Sequence, residues 1–249
     1  MRGYRHLTTA FAKSQLREPV AFFFLIIFPP GLLLLLGLIF GNEPQLEFGG
    51  RGFVDNMLPG ITVLSLMMVG IMFVPQNQLT LRTSGALQRL RATPLRPQTY
   101  VAADLTVNAV LGLLGAVLTF TTALVVFDVT PPASVGLVLL ACSLGLVAML
   151  TIGYTLAVIY PSVAVATGVG NGLMIVLMLT SGAFIPTEAM PDTLQTLMRV
   201  SPVHHMAELV KASWAGVAWP IGSIAVLAGV CLVFGALATI FFRWDRGSR

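Results

Sequence analysis

Charged side chains are scarce in this sequence. Only 10% of its 249 residues are charged, whereas about a quarter are charged in a typical soluble domain. Hydrophobic residues make up 56% of the chain, and the mean hydropathy is +0.89. This composition excludes a soluble globular fold and indicates that the chain lies in a lipid bilayer.

Cysteine is also rare, and a phosphate-binding loop is missing. Cys142 and Cys231 both lie in long apolar runs, which excludes a disulfide framework and indicates packing residues. The pattern GxxxxGK[ST] does not occur, and no lysine follows a glycine anywhere. Because the backbone amides and lysine of that loop would hold ATP phosphates, the chain is not expected to bind or hydrolyse ATP by itself.

Metal ligands are few as well. His204, His205 and Glu208 could share one face of a helix and allow a metal site as an alternative. No third strong ligand lies nearby, and the HExxH arrangement of membrane proteases is absent. The preferred interpretation is an interfacial helix with polar residues facing water, and neither a metal nor a cofactor is expected in this chain.

Long apolar runs are what the sequence has in abundance. A span needs roughly 20 apolar residues, because a helix rises about 1.5 Å per residue and the hydrocarbon core is about 30 Å thick. Pro161-Ser162 separates two nearly fused runs, and it predicts a tight hairpin, since proline ends helices. Six spans are therefore predicted, at residues 19–41, 57–79, 101–127, 134–160, 163–185 and 218–242.

The basic residues predict an orientation. With six spans and a cytoplasmic N-terminus, eleven of the 14 Lys and Arg residues fall on the cytoplasmic side, as the positive-inside rule requires. Both termini are thus expected in the cytoplasm, and the formal charge of +4 is interpreted as a topology signal, with no nucleic-acid partner. The eleven are Arg2, Arg5, Lys13, Arg17, Arg82, Arg89, Arg91, Arg96, Arg243, Arg246 and Arg249.

Residues 1–18 have the pattern of an interfacial helix. Tyr4, Leu7 and Phe11 recur at helical spacing among basic residues, as in a helix that lies in the inner headgroup layer. The alternative is an ordinary basic flank that anchors the first span.

A short amphipathic pattern follows the second predicted span, within residues 81–98. Leu87 and Leu90 share one helical face, and Arg82 and Arg89 lie two turns apart on another. Thr93-Pro94 closes the segment, because the residue before a proline avoids the helical region. A short polar helix with an apolar ridge suits docking into a groove of a soluble partner; the alternative is a generic basic loop.

A second unusual segment, residues 186–216, precedes the last predicted span. Met190, Leu194, Leu197 and Met198 form one apolar face, and Ser201-Pro202 predicts a helix N-cap with proline at the first helical position. Two short helices are expected to dip into the outer leaflet and to cap a cavity, because turns at membrane depth need protein or water around them.

Both segments resemble the second-type ABC exporter permeases, a family that includes drug-resistance, daunorubicin-exporter-like, lipid and polysaccharide exporters. RTSGALQRLRATPL is similar to their cytoplasmic coupling helix, although Thr83 and Gln88 stand where the family often has glutamate. Their fifth span typically ends in Ser-Gly and an aromatic-Pro pair that forms an external gate. The coupling residues implied are Arg82, Gly85, Leu87, Gln88, Arg89, Leu90, Thr93 and Pro94, and the gate residues implied are Phe184, Pro186 and Pro202.

The resemblance also implies partners. Two permease copies, or one copy and a homologue, would assemble with two cytoplasmic ATPase subunits that bind ATP and Mg²⁺. The family's second and fifth spans border the central path near the dimer axis. One continuous face of each carries polar and methionine residues and is a candidate substrate path, or alternatively a packing seam. These residues are Ser65, Met68 and Met72 on the second span, and Asn171, Met174, Met178 and Ser181 on the fifth.

Other classes of membrane protein fit less well. An ion-driven secondary transporter or channel would place ionisable groups deep in the membrane, and the nearest candidate, Asp104, is interpreted as pairing with an arginine at the cytoplasmic end. No pair of catalytic groups indicates a membrane enzyme. The sequence thus predicts an all-α permease of the type V ABC exporter kind, a single domain over residues 1–249 in the cell membrane. The apolar path favours a hydrophobic or amphiphilic cargo, such as a drug-like natural product or a lipid.

Overall fold

The computed structural model describes residues 2–46, 50–91, 97–182 and 191–241. Within these ranges all regular secondary structure is helical, apart from one antiparallel bridge between Gln45 and Arg51. The helices, numbered here in chain order, are α1 (Arg2–Arg17), α2 (Pro19–Phe40), α3 (Phe53–Thr83), α4 (Ala86–Arg91), α5 (Pro97–Val126), α6 (Val135–Ile159), α7 (Val163–Leu179), α8 (Asp192–Met198), α9 (Pro202–Ala215) and α10 (Ile221–Phe241).

Five of these helices are long and apolar enough to cross a membrane: α2, α3, α5, α6 and α10. Their bounds match five of the six predicted spans to within a few residues, and the predicted hairpin at Pro161-Ser162 separates α6 from α7. Ser134 and Ser162 cap α6 and α7, since each hydroxyl accepts a hydrogen bond from the amide three residues later.

Helix α7 differs from the span predicted at residues 163–185. It has 17 residues, about 26 Å at about 1.5 Å per residue, which is shorter than the hydrocarbon core. At its end Thr180 and Ser181 donate hydrogen bonds back to the carbonyls of Val176 and Met178. Gly182 then turns the chain with a φ of +65°, a conformation that favours glycine. Residues 183–185 of the prediction lie outside the described residues.

Helix α3 forms the centre of the bundle. In its most apolar stretch of 18 residues, 89% of the residues are buried. A π-helical turn at Val69–Phe73 lies where α3 crosses α6. There Gly70 and Gly153 bring the two backbones together, since a Cβ on Gly153 would overlap the carbonyl oxygen of Gly70. A second π-helical turn, Phe23–Ile27 in α2, meets Gly115 of α5 in the same way through the carbonyl of Leu25. Glycine thus permits close crossings at both turns.

Helix α1 packs against α5. Tyr4 Oη and Thr106 Oγ1 are 2.7 Å apart, Gln15 Nε2 donates to Asn108 Oδ1 at 3.2 Å, and the ring of Phe11 meets Tyr100 edge to face. Leu7, on the same predicted apolar face, is buried. That face therefore contacts protein, and the place of α1 in the headgroup layer stays a prediction.

Helices α8 and α9 lie in the segment predicted to re-enter the membrane, of which residues 186–190 are outside the described ranges. Pro202 begins α9 as predicted, but the side chain of Ser201 does not cap the helix. Its hydroxyl instead lies 3.3 Å from Thr180 Oγ1 and links α9 to the end of α7. Met198 is buried and Leu197 is exposed, so only part of the predicted apolar face of α8 contacts the bundle.

Candidate functional site

The segment that resembles a coupling helix lies at one end of the bundle, directly after α3. Gly85 turns the chain with a φ of +70°, and α4 follows for six residues. Leu87 is only 3% exposed, so it anchors α4 to the permease. Gln88 and Arg89 are exposed and form the surface that a partner can reach.

Three further predicted coupling residues lie partly or wholly outside the described residues, and a fourth, Arg82, lies in α3. The backbone of Leu90 belongs to α4, but its side chain is outside the described residues, as are Thr93 and Pro94. Arg82 lies before the turn, at the end of α3. Its Nη1 donates to the carbonyl of Ala157 at 3.3 Å, which ties the base of the coupling segment to the end of α6.

A buried polar network lies behind this segment and joins three helices. Asp104 of α5 has no exposed surface. Its Oδ2 accepts a hydrogen bond from Gln78 Nε2 of α3 at 2.8 Å and another from the hydroxyl of Tyr154 of α6. Tyr100 Oη completes the network by donating to Gln78 Oε1 at 2.6 Å. The network extends from the coupling end of α3 into the core of the bundle.

The sequence interpretation of Asp104 is therefore wrong, because amide and phenol donors, not an arginine, satisfy its carboxylate. The helical register of α5 directs the side chain of Asp104 toward α3 and α6, inside the bundle. Sequence reasoning also missed Gln78, Tyr154 and Tyr100. A signal existed, since Asp104 and Asn108 lie four residues apart in an apolar span, and Asn108 Nδ2 donates to the carbonyl of Asp104 at 2.9 Å.

Of the candidate path residues of α7, only Asn171 is exposed within one chain, and Met174 and Met178 pack partly against the core. Helix α7 packs mainly against α3. Asn171 and Gly172 are exposed, Met174 and Met178 are half-buried, and Ser181 is buried. A Cβ on Gly172 would meet nothing within 4 Å, so this side of the helix has room for another helix or a ligand.

The candidate path residues of α3 are less accessible within one chain. Ser65 and Met68 are 2% and 3% exposed. Ser65 lies beside α5, because a Cβ on Gly115 would be 3.3 Å from its Oγ. Met72 is half-buried and lies near Gly170 of α7. Met72 therefore lies on the side of α7 that packs against α3, and path lining by all these residues stays a prediction.

At the opposite end of the bundle, α9 closes off the end of α7. Lys211 Nζ donates to the carbonyl of Gly182 at 2.8 Å, and His204 Nδ1 donates to the carbonyl of Ser181 at 3.2 Å. A cation at the carboxyl end of a helix is favoured by the helix dipole. Burial lowers the pKa of His204 below its usual value. Of the predicted gate residues, Pro202 starts α9, whereas Phe184 and Pro186 lie outside the described residues.

The histidines of α9 make protein hydrogen bonds. His205 Nε2 donates to the carbonyl of Arg199, and Nδ1 therefore accepts from the hydroxyl of Ser223, both at 2.9 Å. In the described parts of the chain, no group of three or more His, Cys, Asp or Glu residues is placed to hold a metal.

Comparison with known proteins assigns the family. Residues 2–215 match the family model of the ABC-2 type transporter. The chain belongs to this family. It is also 28% identical over 166 residues to a Bacillus subtilis (strain 168) protein named "Putative transport permease YvfS". That match covers 65% of this chain and 67% of the relative.

Family membership and the apolar helices agree on the broad class. The resemblance to second-type ABC permeases is confirmed, and the chain is a multi-pass membrane protein and a transport permease subunit, a transporter rather than an enzyme.

Proposed function

We propose that this chain is the permease subunit of an ATP-driven exporter in the cell membrane. It would form a dimer, with itself or with a homologue, and bind cytoplasmic ATPase subunits that hold the ATP and Mg²⁺. The supporting observation is α4, a short helix anchored by Leu87 that presents Gln88 and Arg89 outward. Both termini and α4 are then cytoplasmic, and α8 and α9 are external.

The contacts around α4 suggest how movement would be transmitted. Arg82 joins the base of the coupling segment to α6, and Asp104 joins α3 to α6 through Gln78 and Tyr154. Because these bonds lie in a low-dielectric interior, breaking them is costly. Helices α3, α5 and α6 would therefore move as one body when the ATPase subunits close.

The open face of α7 supports a hydrophobic or amphiphilic cargo, such as a drug-like natural product or a lipid. Asn171 and Gly172 are exposed on this helix and Met174 is half-buried, and methionine side chains adapt to varied apolar ligands. A second permease would face α7 across the dimer axis, and the path would run between the two copies. Ser65, Met68, Met178 and Ser181 would contribute only if α3 and α7 move apart during transport.

The decisive experiment is co-purification of the ATPase with the tagged chain. Arg89→Glu should reduce the recovered ATPase about tenfold, because reversing an interfacial charge replaces an attraction with a repulsion. Arg199→Glu is the matched control, since it makes the same charge change in an exposed residue near the other end of the bundle. Mass spectrometry measures how much ATPase is recovered with each variant. Equal recovery in the two variants would contradict the assignment of α4.

The buried carboxylate of Asp104 favours one alternative, an ion-gradient-driven secondary transporter. That protein would be recovered without an ATPase and would move solute into liposomes under an ion gradient alone. The exporter instead requires ATP and the partner in the same assay.

A further inference from the structure

A cavity of about 460 Å³ opens at the end of the bundle opposite α4. It lies between the start of α3, the second half of α9 and the segment that leads into α10. Four charged side chains line it, two of each sign: Arg51, Asp55, Glu208 and Lys211. Its volume is within the range of small-molecule sites, about 300–1,000 Å³.

The carboxylate of Asp55 already accepts hydrogen bonds from other residues of the protein. Its Oδ1 accepts hydrogen bonds from the amide and hydroxyl of Thr130 at 3.2 and 2.8 Å, and its Oδ2 accepts from Asn42 Nδ2 at 3.0 Å. Lys211 uses one of its three donors on Gly182. The cavity therefore presents two cationic side chains with donor capacity, Arg51 and Lys211, and one anionic acceptor, Glu208.

One wall of the cavity is apolar and rigid. Trp214 is held by a hydrogen bond from Nε1 to the carbonyl of Thr130 at 3.1 Å, and its ring packs 5.3 Å from Phe120. Pro59, Val217, Ala218 and Pro220 complete this wall. Val217 is 62% exposed and lies four residues before the first residue of α10, a membrane-spanning helix. An exposed apolar residue this close to a membrane-spanning helix is expected to border lipid.

We propose that this cavity binds the headgroup of a zwitterionic phospholipid from the adjacent leaflet. The phosphate would face Arg51 and Lys211, the ammonium would face Glu208, and the glycerol and first acyl carbons would lie along Trp214 and Val217. The four charges of the lining sum to zero, so a purely anionic headgroup gains little net attraction. A headgroup with both signs can pair with each. This site is separate from the path beside α7 and does not depend on ATP-driven transport.

The test measures thermal unfolding of the full chain in detergent, with three probes. Dihexanoyl-phosphatidylethanolamine should raise the unfolding midpoint at concentrations at least tenfold lower than dihexanoyl-phosphatidylglycerol does. Free phosphoethanolamine, which lacks the apolar part, should be weaker than the lipid. Equal effects of the two lipids, or of the lipid and free phosphoethanolamine, would overturn the proposal.

Substitutions then test which residues of the cavity bind the headgroup. Glu208→Gln and Arg51→Gln should each weaken the phosphatidylethanolamine effect about tenfold, and Arg199→Gln, outside the cavity, should leave it unchanged. Lys211→Gln is a weaker test, because Lys211 also binds Gly182 and its loss affects folding directly. If Glu208→Gln and Arg51→Gln both bind like the unmodified protein, the headgroup assignment is wrong. No ATPase is needed, so the result can be interpreted even if the exporter proposal fails.

Discussion

Asp104 illustrates how one carboxylate is accommodated inside a membrane-spanning helix. A charge moved out of water without partners is very costly, and a carboxylate therefore needs donors close by. Asp104 has Gln78 and Tyr154 on one oxygen and Asn77 Nδ2 at 3.5 Å from the other. The same bonds make it a structural link between α3, α5 and α6.

Asp104→Ala should therefore destabilise the protein, because it leaves buried donors without an acceptor. The expected loss is about 1–3 kcal/mol for each orphaned group, measured as a lower unfolding midpoint in detergent. Asp104→Asn keeps one carbonyl acceptor and should lose less. Asp192→Ala is the control, since Asp192 is exposed at the start of α8. An Asp104→Ala variant as stable as Asp192→Ala would show that the network does not stabilise the fold.

Among the helices, the crossings at the two π-helical turns bring backbone against backbone. Gly70 and Gly153 let α3 and α6 approach at backbone distance, and Gly115 does the same for α2 and α5. A π-helical turn widens the helix by one residue and shifts the carbonyls that the neighbouring helix meets. Packing at these crossings thus depends on the absence of a side chain, not on apolar surface alone.

Gly153→Ala should destabilise the protein by about 1–3 kcal/mol, because the added methyl group overlaps the backbone of α3 and cannot be relieved by a side-chain rotation. Gly229→Ala, in α10, is the matched control, since a Cβ there meets nothing within 4 Å. That change should be neutral or stabilising by up to about 1 kcal/mol, the intrinsic helix preference of alanine. Unfolding midpoints of the two variants give the comparison, and equal midpoints would contradict the close crossing.

Considered as a whole molecule, a single chain leaves α7 incompletely covered. Val169, Ile175 and Val176 are each about half exposed on this helix, and a second permease is the partner that the proposed function requires there. In the described residues Cys142 and Cys231 are free, and Cys142 is buried.

Gly172→Cys, in a chain with both native cysteines replaced, should form a disulfide with the partner permease under mild oxidation in membranes. Leu232→Cys is the control, because Leu232 is 75% exposed on α10 and should face lipid. Non-reducing electrophoresis detects the cross-linked pair. If Leu232→Cys cross-links as well as Gly172→Cys, or if only Leu232→Cys does, α7 does not lie at the dimer axis.

Local patterns were sufficient for five of the six predicted spans and for the break between α6 and α7. The serines that cap α6 and α7 act on amides three residues away, and apolar runs reveal spans because hydropathy adds along a continuous segment. The shortness of α7 was harder to predict, because the chain turns at Gly182 with a positive φ, and glycine also occurs inside the helices of this chain, as at Gly168 and Gly172. The short helix α4 was predictable from its helical pattern, but the burial of Leu87 against the permease was not.

Composition and periodicity, then, determine that this chain is a helical membrane protein, because both follow from how many apolar residues occur and how they repeat. The fold alone decided the partners of Asp104, the close crossing at Gly153 and the cavity around Arg51 and Glu208. Periodicity indicates which residues share a face of one helix. It does not indicate which neighbour that face meets, because the neighbour comes from a distant part of the chain and is selected by packing of the whole bundle.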